Sequence, residues 1–527
     1  MFVSSLPSLV SGVDFLGLAA VNERMVARAL PGISNVTRYM RVYSVMAWLA
    51  WRFSEFLKEA GGPRGKGLTE AEIRRRFKAF REKVELLFTL GNEEHVGMAG
   101  ASRRAYLPEG DEAFDIDFKA FGNVAVSWLD AAVYGPSLGV DNGLGFIKRT
   151  PGSSYAPTPI GIELAMALDN SLSKSHNYEA LCDVRSVSAT RAMIDELGKR
   201  WQARSSSSAE RGHFSTAFFP ADAGEEGKRN PHANRAAMVR LVLRAVDAIG
   251  GAASVVDVRE AVARGMTVSG NALDLTSCDL TQAVWTVLQL RQLQRLALEA
   301  LLRWMEKALL EPSADRYGRT PRALADRATG SAAAFLEMLT EAPLRSLCER
   351  IETKAEGQDY FAAGLLDAEI DIFRLRDRMI ALASSSDDMT LLPGHAVQAL
   401  VVCASHSRSL MGSERHVRWL DAGERSRISL RTLVNVVESY RDQPLRAFIH
   451  VLIETCVIGQ HFNVTAAKLE PGKNKFRFIT VEEGLRPLIR PDQVTGLFVT
   501  GDRLENAMQL MADCGLLKRD GETFTRA

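Results

Sequence analysis

Apolar residues recur at three- and four-residue spacing along most of the chain, the pattern of helices that bury one face. Tyr39, Val42, Met46, Leu49, Phe53 and Phe56 place one such helix after Leu30-Pro31-Gly32, opened by a Ser34/Asn35 cap region and running to about Ala60. Thr69 with Glu72 three residues on is a capping-box pattern. It opens a second helix that carries Ile73, Phe77, Phe80, Val84 and Leu87. Residues 236–249 and 255–263 read as a helix pair joined by Gly250-Gly251. A long helix over 280–310 has Val284, Leu288, Leu293, Leu296, Leu301 and Trp304 on its apolar side. Thr320-Pro321 starts another, and helices continue to about residue 462. The character then changes: Phe476-Arg477-Phe478 alternates with the period of two expected of a half-buried strand.

Two distant stretches carry nearly the same phrase, Gly145-Phe146-Ile147-Lys148-Arg149 and Gly515-Leu516-Leu517-Lys518-Arg519. Around the first, residues 121–168 read as helix (124–134), strand (146–149), a Pro151-Gly152 turn, a returning Tyr155-Ala156, and a helix over 160–168 capped by Thr158-Pro159. Around the second, a helix over 504–512 ends at Gly515, a strand follows over 516–519, Asp520-Gly521 suits a two-residue hairpin turn, and Thr523-Phe524-Thr525 returns. Helix, strand, turn and strand is how a winged helix ends. The expected fold is therefore mainly α: a multi-domain helical bundle with two winged-helix-like (α+β) units. Residues 205–208 and 222–230 are polar and poor in large apolar side chains. The expected domains are a helical 1–204 containing the first unit, a linker or exposed loop at 205–232, a helical 233–465, and a C-terminal winged-helix-like 466–527.

At 527 residues the chain exceeds a single core, and two to four domains are expected. Lys plus Arg (65) nearly balances Asp plus Glu (64), so any contact with nucleic acid must come from local patches. The six cysteines form no Cys-x-x-Cys pair, which excludes a zinc ribbon and suggests buried thiols in a reducing compartment. The first residues lack a basic region, and Asp14 interrupts them, unlike a signal peptide. No apolar run reaches bilayer length on this reading, and a cytoplasmic protein is expected.

Candidate chemistry is sparse. The loop Gly61-Gly62-Pro63-Arg64-Gly65-Lys66-Gly67 lacks the first glycine and the Ser/Thr of a phosphate-binding loop and joins two helices, so it reads as an exposed basic loop. His450, Glu454 and His461 share a helix face, but Glu454 and His461 lie about 10 Å apart along the axis, too far for one metal ion without other ligands. They are the only metal candidates, and no cofactor is expected. Cys403 and His406 read as core residues, and Asp387-Asp388 as a helix cap. The residues picked out for binding nucleic acid or a partner are Lys148 and Arg149, the cluster Lys468, Lys473, Lys475 and Arg477, and Lys518 and Arg519. Acidic residues between 470 and 522 nearly cancel the local charge, which favours a protein partner as much as DNA.

Three segments carry a resemblance. Leu16-Gly17-Leu18 through Leu30-Pro31-Gly32-Ile33-Ser34-Asn35-Val36-Thr37 to Tyr43-Ser44, the run Arg295-Leu296-Ala297-Leu298-Glu299-Ala300-Leu301, and Gln460-His461 with Lys468 and Phe476-Arg477-Phe478 resemble landmarks of a family of uncharacterised bacterial proteins. The family is associated with anti-phage or anti-plasmid defence loci. The resemblance implies a subunit of a larger assembly and no catalytic residues. The leading expectation is a non-catalytic scaffold or recognition subunit that contacts other subunits, double-stranded DNA, or both. A metal-dependent nuclease or hydrolase is one alternative and a transcriptional regulator another.

Overall fold

The computed structural model describes residues 14–36, 38–60, 68–92, 107, 110, 112–118, 128–129, 134–150, 154–227, 230–312, 317–385, 389–422, 428–469 and 475–527. It is mainly helical, with small antiparallel sheets. Contacts divide the chain into two units, and neither is continuous in sequence. One comprises Ala27–Arg259 with Asp502–Ala527, the other Met1–Val26 with Glu260–Gly501. The C-terminal residues thus belong with the N-terminal half and not with the segment that precedes them.

In the unit formed by 27–259 and 502–527, the helix Met40–Glu59 packs on Pro159–Leu172 and on the hairpin Ile147–Thr150/Ser154–Pro157. Thr158 caps Pro159–Leu172 as expected, accepting from Gly161 N at 3.2 Å and donating to Gly145 O at 2.6 Å. Gly161 has no substitute here, because a Cβ would lie 1.9 Å from Phe146 O. The Thr69/Glu72 capping box forms as well. Met40–Glu59 starts later than the Ser34/Asn35 reading because its cap is tertiary. Tyr39 N donates to the Tyr134 hydroxyl at 3.1 Å and Met40 N to Asp513 Oδ2 at 3.0 Å. The expected helix over 124–134 and the Pro151-Gly152 turn fall largely or wholly outside the described residues.

The segment expected to be a linker holds the helix Ser208–Phe218, opened by a Ser207/Glu210 capping box. It is core. Phe214 stacks on Phe146 at 6.0 Å and meets Tyr43 edge-on at 5.2 Å. Buried Arg235 donates to Ala217 O (2.8 Å) and Phe218 O (2.9 Å), supplying a cation where the helix dipole is negative.

The C-terminal sheet has three strands, in the order Ala253–Ser254, Thr523–Arg526, Leu517–Asp520. Its elements follow the sequence helix Pro231–Ile249, strand Ala253–Ser254, helix Val255–Arg264 and then, more than two hundred residues on, helix Leu504–Asp513 and the hairpin. Gly515 (φ 82°) ends that last helix as expected. The two-residue hairpin loop is Gly521-Glu522, one position later than the sequence suggested, because Asp520 pairs with Thr523.

In the other unit the helix Asp279–Leu310 packs on Leu392–Ser409 and Ile372–Ser384. Its 32 residues are buried on nearly every face, so its polar side chains need internal partners. Gln292 accepts from Asn22 (3.3 Å) and donates to Thr500 O (2.9 Å). Arg295 pairs with Glu299 at 2.8 Å, and Glu306 takes both Thr495 N and Arg477. Thr320 caps Pro321–Leu336. The strand near Phe476 begins at Phe478 and pairs Phe478–Val481 with Gly484–Pro487. Contrary to the sequence reading, one helix among the described residues, Leu445–Ala467, is long and apolar enough by length and composition to cross a bilayer. Of its apolar 18-residue stretch 56% is buried within the protein, and its middle, Leu452–Gly459, is π-helical. The six cysteines are free thiols and five of them are buried.

Candidate functional site

Two distant stretches of the first unit line one cavity. The turn before Ser208–Phe218 carries Arg204, the first turn of that helix carries Arg211, and the strand Leu517–Asp520 carries Lys518 and Arg519. These four exposed cations line one open cavity of about 850 Å³. Arg204, Arg211 and Lys518 form no ion pair among the described residues. Arg204 also lies 5.9 Å over the Tyr39 ring. Arg519 is held in place by the Gly521 carbonyl (2.8 Å), the Gln509 side chain and the Phe524 ring.

The acid among them is Asp513. Burial pushes its carboxyl up to about 6, against the hydrogen bonds from Met40 N and Gln509 and the nearby Arg204 and Arg519 charges. Its two oxygens are occupied by Met40 N at 3.0 Å and Gln509 Nε2 at 2.7 Å. The carboxylate therefore caps a helix and does not neutralise the arginines by direct pairing.

Ser205 and Ser206 also line a second cleft of about 410 Å³, beside Arg41, Lys199 and Arg200. Arg41 is buried, with Glu210 3.3 Å from Nη1 and the Ser205 carbonyl on Nη2. Its Nε has no hydrogen-bond partner among the described residues. Glu196 is bound by Ser175, by Asn177 (3.1 Å) and by Arg200 (3.2 Å). Guanidinium, ammonium and hydroxyl groups arranged in this way can hold an anion.

The residues picked out from the sequence are dispersed. Lys518 and Arg519 are in the cavity. Lys148 and Arg149 are exposed on the other hairpin, Arg149 lying 6.0 Å over Tyr155. The described members of the cluster at 468–477 form no exposed patch. Arg477 is 4% exposed, bound at 2.7 and 3.1 Å to the two oxygens of Glu306 and stacked 4.4 Å from Phe15, and so is not presented to a partner. Lys468 is half-buried and donates to Asp14 O at 2.7 Å. Lys475 is half-buried and has a partner, and Lys473 lies outside the described residues.

The metal candidates separate too. His450 Nε2 meets Asp326 at 2.8 Å, with Glu454 3.8 Å from Nδ1. His461 is fully buried; its Nε2 accepts from Arg477 N (3.1 Å), which leaves Nδ1 to donate to Phe15 O (3.3 Å). Among the described residues no group of three metal-capable side chains is found. The loop at 61–67 and the pair Asp387-Asp388 also lie outside the described residues.

Sequence reasoning missed Arg204 and Arg211. The signal was available in Arg204-Ser205-Ser206-Ser207-Ser208-Ala209-Glu210-Arg211, whose Ser207 and Glu210 fit the capping-box spacing. Comparison of the chain with protein-family models, curated proteins and solved structures finds no match.

Proposed function

We propose that the chain is a non-catalytic recognition and scaffold subunit of a multi-protein assembly, built around a winged helix split by a large insertion. The observation that carries this reading is the strand order of the C-terminal sheet. With Pro231–Ile249, Val255–Arg264 and Leu504–Asp513 it reproduces the helix–strand–helix–helix–strand–strand succession of a winged helix, with residues 265–501 inserted between the second and third helices. The first hairpin, followed at once by its Thr158-capped helix, supplies a second wing-like element. A bacterial defence-type system is suggested by the sequence resemblance.

The third helix bears on the kind of recognition. A helix that reads a DNA major groove needs an exposed polar face. In Leu504–Asp513 only Glu505 is exposed, Leu504 and residues 506–511 are buried, and none of its residues is Lys or Arg. This favours a scaffold over a sequence-reading transcriptional regulator. The dispersal of His450, Glu454 and His461 likewise gives the nuclease or hydrolase reading no assembled centre. The test is co-expression with the products of the adjoining genes, followed by purification and mass measurement. A stoichiometric complex is expected. A chain that purifies alone and turns over a substrate refutes the proposal.

A further inference from the structure

We infer that the cavity lined by Arg204, Arg211, Lys518 and Arg519 binds the phosphodiester backbone of duplex DNA without regard to sequence. This names a ligand for the recognition subunit proposed above, and it rests on that reading only in treating the contact as non-catalytic.

Charge is the first support. Four cations from two segments some three hundred residues apart converge on one cavity, and three of them have no ion pair among the described residues. In a protein with formal net charge +1 such convergence is local and not an effect of bulk composition. Holding unpaired cations side by side costs Coulomb energy, which an anionic ligand repays. Asp513 pairs directly with none of them, because its oxygens accept from Met40 N and Gln509, and the four cations outnumber its single charge.

Shape and chemistry then select among anions. Ser205 and Ser206 line both this cavity and the neighbouring cleft, where Lys199 stands beside an Arg200 paired with Glu196, so cationic groups extend in a track beyond a single socket. One phosphate, as on a phosphopeptide, would leave most of that track unmatched, whereas a polymer with a phosphate at every step would engage it. No aromatic ring lines either cleft among the described residues, so bases have nothing to stack on. Proteins that hold single strands depend on such rings, and backbone contact without stacking suits a duplex. The side chains that the helix Leu504–Asp513 brings to the cavity, Gln509 and Asp513, are engaged by each other, by Arg519 and by Met40 N, which leaves none for base edges and makes the contact independent of sequence.

The test is fluorescence anisotropy with a labelled 30-base-pair duplex, titrated from 50 to 200 mM salt. Four phosphate contacts give a log–log slope of about −3.6 and a loss of affinity on the order of 100-fold across that range. Arg211→Gln with Lys518→Gln, both exposed and without an ion pair among the described residues, keeps the thermal midpoint, lowers the slope by about two and weakens binding at 50 mM at least 10-fold. A second duplex of unrelated sequence binds within about 2-fold of the first. The site is overturned by absence of binding, by a slope unchanged in the double variant, by strong sequence preference, or by competition from a phosphopeptide without duplex binding. The DNA recovered from the same samples stays intact. Cleavage would refute the non-catalytic reading while leaving the site standing.

Discussion

Arg259 and Asp502, 243 residues apart in sequence, form an ion pair at the two points where the chain leaves and re-enters one structural unit. Arg259 Nη2 lies 3.3 Å from Asp502 Oδ1, and Nε contacts the other carboxylate oxygen. Asp502 is 4% exposed and also accepts from Leu504 N, fixing the start of the helix Leu504–Asp513. The pair therefore closes the ends of the segment 260–501, which contains the proposed 265–501 insertion, and sets the third helix of the proposed winged helix. Arg259→Ala leaves the carboxylate without its cation and is expected to destabilise the protein by about 2–4 kcal/mol. Denaturant unfolding measures this, and a change below about 0.5 kcal/mol would show that the clasp is idle.

Gly161→Ala tests the close approach of a helix to a strand. The new Cβ would meet Phe146 O at 1.9 Å, a backbone atom that cannot rotate away, so helix and hairpin must separate. A loss of about 3 kcal/mol or more is expected, visible as a lower melting temperature. An unchanged melting temperature would contradict the packing of Pro159–Leu172 on the hairpin.

Arg477 separates a structural cation from a ligand-binding one. Arg477→Ala leaves the buried Glu306 carboxylate with hydrogen bonds from Thr495 and the more distant Arg303 charge among the described residues, and is expected to cost about 3–5 kcal/mol. Arg477→Lys recovers little, because lysine cannot span both oxygens. Lys148→Ala, on an exposed strand position, is expected to change stability by less than about 0.5 kcal/mol. Equal effects at the two positions would contradict this division.

Stability falls as the solution is acidified from neutrality. Burial holds His395, His416 and His461 down at about 4 and His406 at about 3, against an ordinary 6.5. Below pH 6.5 the unfolded chain takes up protons that these four folded sites refuse. Their contribution is whole above 6.5 and is lost progressively towards about 4. Burial raises Glu299 to about 7 and Asp513 to about 6, so the folded state gains protons first at those two sites, which offsets part of the loss. Burial also lowers His232 and raises Glu260, so five histidines against three carboxyls leave a net decline. Urea midpoints at pH 7.5, 6 and 5 follow it, and a midpoint that rises on acidification would contradict it.

What the sequence discloses here is what short-range chemistry decides. The caps at Thr69, Thr158 and Thr320 and the stop at Gly515 depend on partners within a few residues, and they stand where the pattern places them. The start of Met40–Glu59 depends on Asp513, 473 residues away, and local spacing could not reveal it. The four serines at 205–208 have a linker's composition, yet Ser207 opens a helix whose Phe214 and Phe218 are core. The basic cluster ending at Arg477 suggested a binding face because its carboxylate, Glu306, is 171 residues distant. Half of the cavity was legible, Lys518 and Arg519 on their strand. Arg204 and Arg211 join them only through the fold.

Hydrogen–deuterium exchange with and without duplex DNA tests the account most directly, because it reports where along the chain the ligand is held. The account predicts added protection at 204–211 and 517–521 and no change across 504–508, the part of Leu504–Asp513 that does not line the cavity. New protection confined to 504–508, with none at 204–211 or 517–521, would mean that the third helix reads the groove after all and would contradict it.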